Sequence, residues 1–248
     1  MIVIESINNE KVKYIRKLHE KKYRNEYNEY LVEGVHLVIE AYKKGLLKEL
    51  ILLENTELPI PAPYNYYSEA VMKKISNMDH PSPVMGICKK IKTNEIIGNK
   101  ILILDDIQDP GNLGTIIRSA LAFGIKTIIL SNNTVDLYNP KVIRATQGMM
   151  FHINIVIKDI KEAINELKNM SIPIYGTDVN GGIDVRSLKK SEKEKYALIV
   201  GNEGNGVKEE INNMCDKKLY ISMNEDVESL NVAIATSILL YELGDNNG

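Results

Sequence analysis

Three short polar segments interrupt the apolar second half of the chain, and each carries side chains able to do chemistry. Asp109-Pro110-Gly111-Asn112-Leu113-Gly114 follows the apolar run Ile101-Leu102-Ile103-Leu104 and leads into a helical pattern that carries Arg118. Asn112 offers an amide donor and acceptor, and Arg118 a planar cation suited to a phosphate. Gly201-Asn202-Glu203-Gly204-Asn205-Gly206 follows the apolar run Tyr196–Val200 and sets a carboxylate among glycines. Such a carboxylate can accept hydrogen bonds from a ribose or orient a neighbour. Glu228-Ser229-Leu230-Asn231-Val232 opens a long apolar helix. Each segment alone also has a structural explanation: a capped helix with a surface arginine, a glycine corner, and Ser229 capping a helix whose dipole favours Glu228. Asn231 fits that explanation least, because it reads as lying inside the first apolar turn, where a buried amide needs partners.

The elements that position these segments follow from periodicity. Ile101–Leu104, Thr127–Leu130, Ile153–Ile157, Ile172–Thr177, Tyr196–Val200 and Lys218–Met223 read as strands. Helical patterns over 113–123, 142–149, 160–170 and 229–243 stand among them. This alternation predicts a mostly parallel sheet with helices on both faces. In such sheets ligands bind at the carboxyl ends of the strands, and all three polar segments fall there or just after. Neither a GxGxxG fingerprint nor a GxxxxGK[ST] loop occurs, which disfavours nicotinamide and nucleoside-triphosphate chemistry.

Residues 1–92 read as a separate small α/β unit, with the second domain over 96–248. An amphipathic helix is expected over 8–23, strands at 30–33, 47–53 and 83–91, and helices over 35–44 and 68–75, with Pro59, Pro61 and Pro63 breaking regular structure. The net charge is −2, but Lys11, Lys13, Arg16, Lys17, Lys21, Lys22 and Arg24 cluster against the single acid Glu20. A local basic patch binds phosphates whatever the total charge; a solvated helix face is the plainer explanation. Tyr14, Tyr23 and Tyr27, interleaved there, either stack on unpaired bases or belong to the core. Cys88 and Cys215 are the only cysteines. They build no disulfide framework and no zinc cluster, so reduced thiols, no metal and a cytoplasmic location are expected. No apolar run approaches the roughly 18 residues of a membrane span, so no membrane association is expected.

The strings ILDDIQDPGNLGTIIRSALAFGI, LIVGNEGNG and ESLNVAIATSILLYEL, in that order over 101–243, resemble motifs one, two and three of the SpoU/TrmH family of SPOUT RNA methyltransferases. Residues 5–90 are similar to the ribosomal-protein-like RNA-substrate-binding domain of many members. The resemblance implies S-adenosylmethionine as methyl donor, a ribose 2′-hydroxyl of RNA as acceptor, a homodimer, and a deep C-terminal trefoil knot. The RNA implied is rRNA, of the large subunit, with tRNA as the alternative; a non-catalytic RNA-binding protein that keeps the fold is a further one. Carried over residue by residue, Asn112, Arg118, Glu203, Ser229 and Asn231 are the implied catalytic set. Gly201, Asn202, Glu203, Gly204, Ile221, Met223, Ser229 and Leu230 are the implied cofactor contacts. Lys21, Lys22, Arg24, Arg118 and Arg144 are the implied RNA contacts. Motif three departs from the family wording at Ser222, usually proline, and at Glu225, usually glycine. Glu225 requires a backbone conformation that a residue with a Cβ accepts.

Overall fold

The computed structural model describes residues 2–91, 93–178 and 181–244. The chain forms two compact units, Met1–Lys92 with Asp136–Phe151, and Thr93–Val135 with His152–Gly248.

The first unit runs β1 (Val3–Ile4), α1 (Glu10–Lys17), α2 (Lys21–Tyr27), β2 (Glu29–Glu33), α3 (Val35–Lys43), β3 (Leu47–Leu53), β4 (Tyr64–Tyr67), α4 (Glu69–Ile75) and β5 (Val84–Lys89). Its sheet has the order β1-β4-β3-β5-β2, with β5 antiparallel to both neighbours. Val12 and Ile15 of α1 and Val71, Met72 and Ile75 of α4 pack on one face, against Leu31, Ile51, Tyr67, Met85 and Ile87. Strand β4 was not anticipated. It follows three prolines, and Tyr64 is 55% exposed on it, so no burial pattern announces it.

The single helix expected over 8–23 is two helices. Glu20 is extended (φ −95°, ψ 132°), and α2 starts after it. Arg24 explains the break. Its Nη1 donates to the carbonyl oxygens of Leu18 (3.0 Å) and His19 (2.6 Å), which α1 leaves free at its end. Its Nη2 meets Asp136 Oδ2 at 2.5 Å. Arg24 is therefore a buried tether (4% exposed), with little surface to offer the RNA phosphate expected of it. The basic run hid this, because spacing does not distinguish a buried cation from its exposed neighbours. Arg24→Ala leaves the Asp136 carboxylate unpaired in a mostly buried setting, which costs roughly 3–5 kcal/mol. Chemical denaturation should show that loss, and a loss within the roughly 0.5 kcal/mol of an ordinary surface change would contradict the tether. Of the tyrosines, Tyr14 and Tyr27 pack against the core, whereas Tyr23 lies beneath the ammonium groups of Lys17 and Lys22.

The second unit begins with β6 (Lys100–Leu104), α5 (Pro110–Ala122) and β7 (Thr127–Leu130). The chain then passes through α6 (Pro140–Thr146), which belongs to the first unit. It returns for β8 (Asn154–Ile157), α7 (Ile160–Asn169), β9 (Ile174–Thr177), β10 (Ile183–Asp184), β11 (Tyr196–Val200), α8 (Glu209–Asn212), β12 (Lys217–Tyr220) and α9 (Val232–Leu243). The sheet order is β10-β12-β9-β11-β6-β7-β8, and every pair is parallel. Ile101–Leu104 on the inner strand β6 are fully buried, as a run apolar on both faces requires. Helix α5 ends where Gly124 takes φ +82°. No helix among the described residues is long and apolar enough to cross a membrane.

Candidate functional site

The site lies at the carboxyl ends of β6, β9, β11 and β12. The turn after β6 is held by Asp106, in the left-handed region at φ 65°, whose backbone N–H donates to Ser131 Oγ (2.9 Å). Asp109 then caps α5, accepting from the backbone N–H of Asn112 (2.8 Å), and Pro110 takes the first helical position, where no N–H is needed. Asn112 thus stands in the first turn of α5 rather than at its cap.

The loop after β11 closes on itself. Asn202 and Gly206 exchange backbone hydrogen bonds of 3.0 and 2.9 Å. The Asn202 side chain accepts from the backbone of Gly204 and Asn205 and donates to the Asp106 carbonyl (2.8 Å). Gly201 is a steric requirement: a Cβ there would sit 2.1 Å from the Gly206 carbonyl carbon and 2.2 Å from the Val207 nitrogen.

This closure aims Glu203 back at the first turn of α5. Its Oε1 accepts from Asn112 Nδ2 (3.1 Å) and from the Asp109 backbone N–H (3.1 Å), and its Oε2 from the Gln108 backbone N–H (3.2 Å). Asn231 Nδ2 donates to Asn112 Oδ1 (3.0 Å), while Asn231 Oδ1 accepts from Ala233 and Ile234 at the start of α9. The arrangement has one direction. A carboxylate only accepts, so Asn112 must present its amide nitrogen to Glu203 and its oxygen to Asn231. Asn231 is itself the helix cap, exposed, not a buried amide inside the first turn. Ser229 does not cap α9, because the chain stays irregular until Val232.

Partial burial pushes the Glu203 pKa up, but the hydrogen bonds from Asn112 and from the backbone of Asp109 and Gln108 outweigh it and hold the carboxyl below its ordinary range. A carboxyl depressed in the folded state stabilises the fold above its unfolded pKa, and that contribution disappears as pH falls through the folded value. Glu203→Gln should therefore melt below the wild type at neutral pH, with the gap closing on acidification into the carboxylate range. Differential scanning calorimetry across pH checks this; a gap independent of pH would contradict it.

Beside this chain of amides is a cavity of about 340 Å³, within the range of roughly 300–1,000 Å³ common for small-molecule sites. Gly201, Asn202, Glu203, Gly204, Ile221, Met223, Ser229 and Leu230 all line it. Ile221 and Met223 do so from the irregular segment after β12, which ends at Tyr220 rather than at Met223. Glu225 is not among the residues with positive φ, so its side chain imposes no backbone strain there. Sequence reasoning missed Thr177, Asp178 and Asn212 in the wall. The signal was a polar pair, Thr177-Asp178, directly at the end of a parallel strand. Arg118 is exposed on α5; it neither lines the cavity nor joins the Glu203–Asn112–Asn231 chain. Lys21 and Lys22 are exposed in the first unit, and Arg144 is half-buried on α6 of the same unit. Among the described residues no group of His, Cys, Asp or Glu is placed to hold a metal ion.

The architecture is matched closely by solved methyltransferases. An rRNA methyltransferase from Sinorhizobium meliloti superposes with a TM-score of 0.88 at 31% identity, covering 98% of this chain and 96% of that one. An AdoMet-bound rRNA methyltransferase structure from the same organism gives 0.86 at 30%, covering 98% and 97%. The fold is thus that of an RNA methyltransferase.

Residues 99–241 match the SpoU rRNA Methylase family, and the chain belongs to it. Residues 9–86 match the MRM3-like substrate binding domain. The 23S rRNA (guanosine(2553)-2′-O)-methyltransferase RlmP of Bacillus subtilis is 38% identical over 245 residues, 97% of this chain and 98% of that protein.

Proposed function

We propose that this protein transfers the methyl group of S-adenosylmethionine to the 2′-hydroxyl of a guanosine ribose in 23S rRNA. The observation that carries the reading is the Glu203–Asn112–Asn231 chain, which joins the three motif loops, two of which, at Gly201–Gly206 and at Ser229 and Leu230, line one cavity. Similarity to RlmP over nearly the full length of both chains supports the rRNA substrate and the guanosine.

The cavity fits the cofactor. Apolar Val200, Leu219, Leu230 and Leu239 suit an adenine ring, and the closed glycine loop exposes backbone polar groups beside it. When bound, the cofactor supplies an electrophilic methyl group on a positive sulfur. The ribose 2′-oxygen would take that methyl group, with S-adenosylhomocysteine as the leaving group and the hydroxyl proton passing to solvent. Arg118, with its exposed fork, grips the phosphate next to the target ribose and aligns the hydroxyl; a guanidinium offers five N–H donors and no acceptor, so it is no base for the hydroxyl proton. Asn112 and Asn231, fixed by Glu203, and Ser229 orient the ribose. Lys21, Lys22 and Arg144 contact RNA phosphates from the first unit. The C-terminal segment forms the family's trefoil knot. The molecule is a homodimer through α9, where Ile234 and Tyr241 are each more than half exposed. A cytoplasmic location follows from an rRNA substrate.

Tritiated methyl transfer to 23S rRNA and to tRNA, each from a host lacking the protein, tests the substrate. Label in rRNA as a 2′-O-methylated guanosine is expected. Label confined to tRNA would replace rRNA with tRNA, and no label in either would favour a non-catalytic RNA-binding protein.

A further inference from the structure

Four cations stand exposed where α1 gives way to α2: Arg16 and Lys17 in the last turn of the first helix, Lys21 and Lys22 at the start of the second. None of the four forms an ion pair among the described residues, although Glu20 and Glu26 lie exposed on the same stretch. Their neighbours Lys11 and Lys13 are taken by Glu49 and Glu10. Lys17 and Lys22 are nonetheless held. Their ammonium nitrogens lie 5.2 and 5.5 Å from the centre of one ring, that of Tyr23. An unbroken helix would turn positions 17 and 22 to different faces; the extended Glu20 between α1 and α2 brings both over Tyr23. The ring is itself fixed. It stacks on Tyr27 (6.0 Å, 21°), Tyr27 meets Tyr14 at 5.2 Å, and the Tyr14 hydroxyl donates to Glu29, so the row runs from the surface to the core of the unit. An aromatic face attracts an ammonium without neutralising it. Tyr23 therefore fixes two lysines and leaves their charge open to a partner.

Such a surface only donates hydrogen bonds. Phosphate oxygens accept them, whereas base edges mix donors and acceptors. Proteins that take unpaired RNA present open rings on which bases stack; here the ring lies beneath two lysines. Cations held in place gain most from phosphates also held in place, as in a duplex, because a flexible strand must first be ordered. We propose that Arg16, Lys17, Lys21 and Lys22 grip the phosphate backbone of double-helical RNA, with Tyr23 as the positioning residue that sets the lysines and stacks on no base. This role rests on the RNA substrate named above, and it makes paired RNA the class met at this surface.

The test is binding of the full-length protein, across salt concentrations, to three RNAs: 23S rRNA, a blunt duplex of arbitrary sequence, and an oligouridylate of the same length. The wild type should bind the duplex more tightly than the oligouridylate. Lys17→Gln with Lys22→Gln should weaken duplex binding whatever its sequence, and make the fall of log affinity with log salt shallower by about 0.7–0.9 for each lysine. Tyr23→Leu keeps every charge and should weaken duplex binding by about two- to fivefold, the order of one exposed cation–π contact. Tyr23→Phe keeps the ring face and should restore it. Melting temperatures alongside separate these effects from a loss of folding. A salt slope unchanged in the double lysine variant would overturn the proposal. So would a loss in Tyr23→Leu that falls mainly on the oligouridylate, which would show a base stacked on the ring, or a wild type that prefers the single strand. If the wild type binds none of the three RNAs, the RNA substrate itself fails and the proposal falls with it; if 23S rRNA is bound equally by wild type and lysine variants, only this surface is refuted.

Discussion

Gly201→Ala is expected to weaken S-adenosylmethionine binding by about 10- to 100-fold while Gly204→Ala in the same loop changes it little. The two glycines differ in what a methyl group would meet. At Gly201 the added carbon falls on the backbone of Gly206 and Val207, at 2.1 to 2.2 Å, and backbone cannot swing aside as a side chain can. The Asn202–Gly206 pair must open to relieve it, and with it goes the aim of Glu203 at Asn112. Overpacking of this kind costs roughly 1–3 kcal/mol, which, if the strain is relieved only in a form that does not bind, is the stated loss of affinity. At Gly204 the nearest atom is Asn202 Oδ1 at 3.6 Å, an ordinary contact. Titration of both variants, with melting temperatures alongside, checks the contrast. Equal affinities for the two would show that the cofactor does not depend on loop closure.

The second large effect is expected at Arg118. Arg118→Ala should lower methyl transfer by at least about 10²-fold, the magnitude seen when one group that stabilises or aligns a transition state is removed. Cofactor affinity should stay within about twofold, because Arg118 is outside the cavity wall. That split between turnover and binding is the informative part. Arg118→Lys keeps the charge but loses the planar fork. Near-complete loss in Arg118→Lys with RNA still bound would favour alignment over simple charge. Activity retained in Arg118→Ala would remove the residue from the mechanism.

Much of the second unit was legible because its signals are local and redundant. The run Ile101–Leu104 could only be a buried strand, and the three polar segments each follow or precede an apolar element. What escaped depends on tertiary partners. Nothing in the spacing of the basic run separates Arg24 from Lys21 and Lys22; its burial depends on Asp136, more than a hundred residues away in sequence. The same contact ties Asp136–Phe151, which reads as part of the parallel-sheet domain, to the first unit. At the third motif, Ser229 and Asn231 are equally good caps by type. Asn231 is the one that caps α9, and its amide nitrogen also donates to the Asn112 oxygen, a tertiary partner that Ser229 lacks among the described hydrogen bonds. Asp178 was missed because a lone acid at a strand end has no motif; only the folded chain places it in the cavity wall.

The most direct test of the central claim is to map 2′-O-methylation at single-nucleotide resolution in 23S rRNA from the host with and without this gene. The account predicts one guanosine that loses its 2′-O-methyl group in the deletion strain, regains it with the wild-type gene, and does not regain it with Arg118→Ala. An rRNA methylation map identical in the two strains, or a lost mark on a base rather than a ribose, would contradict it.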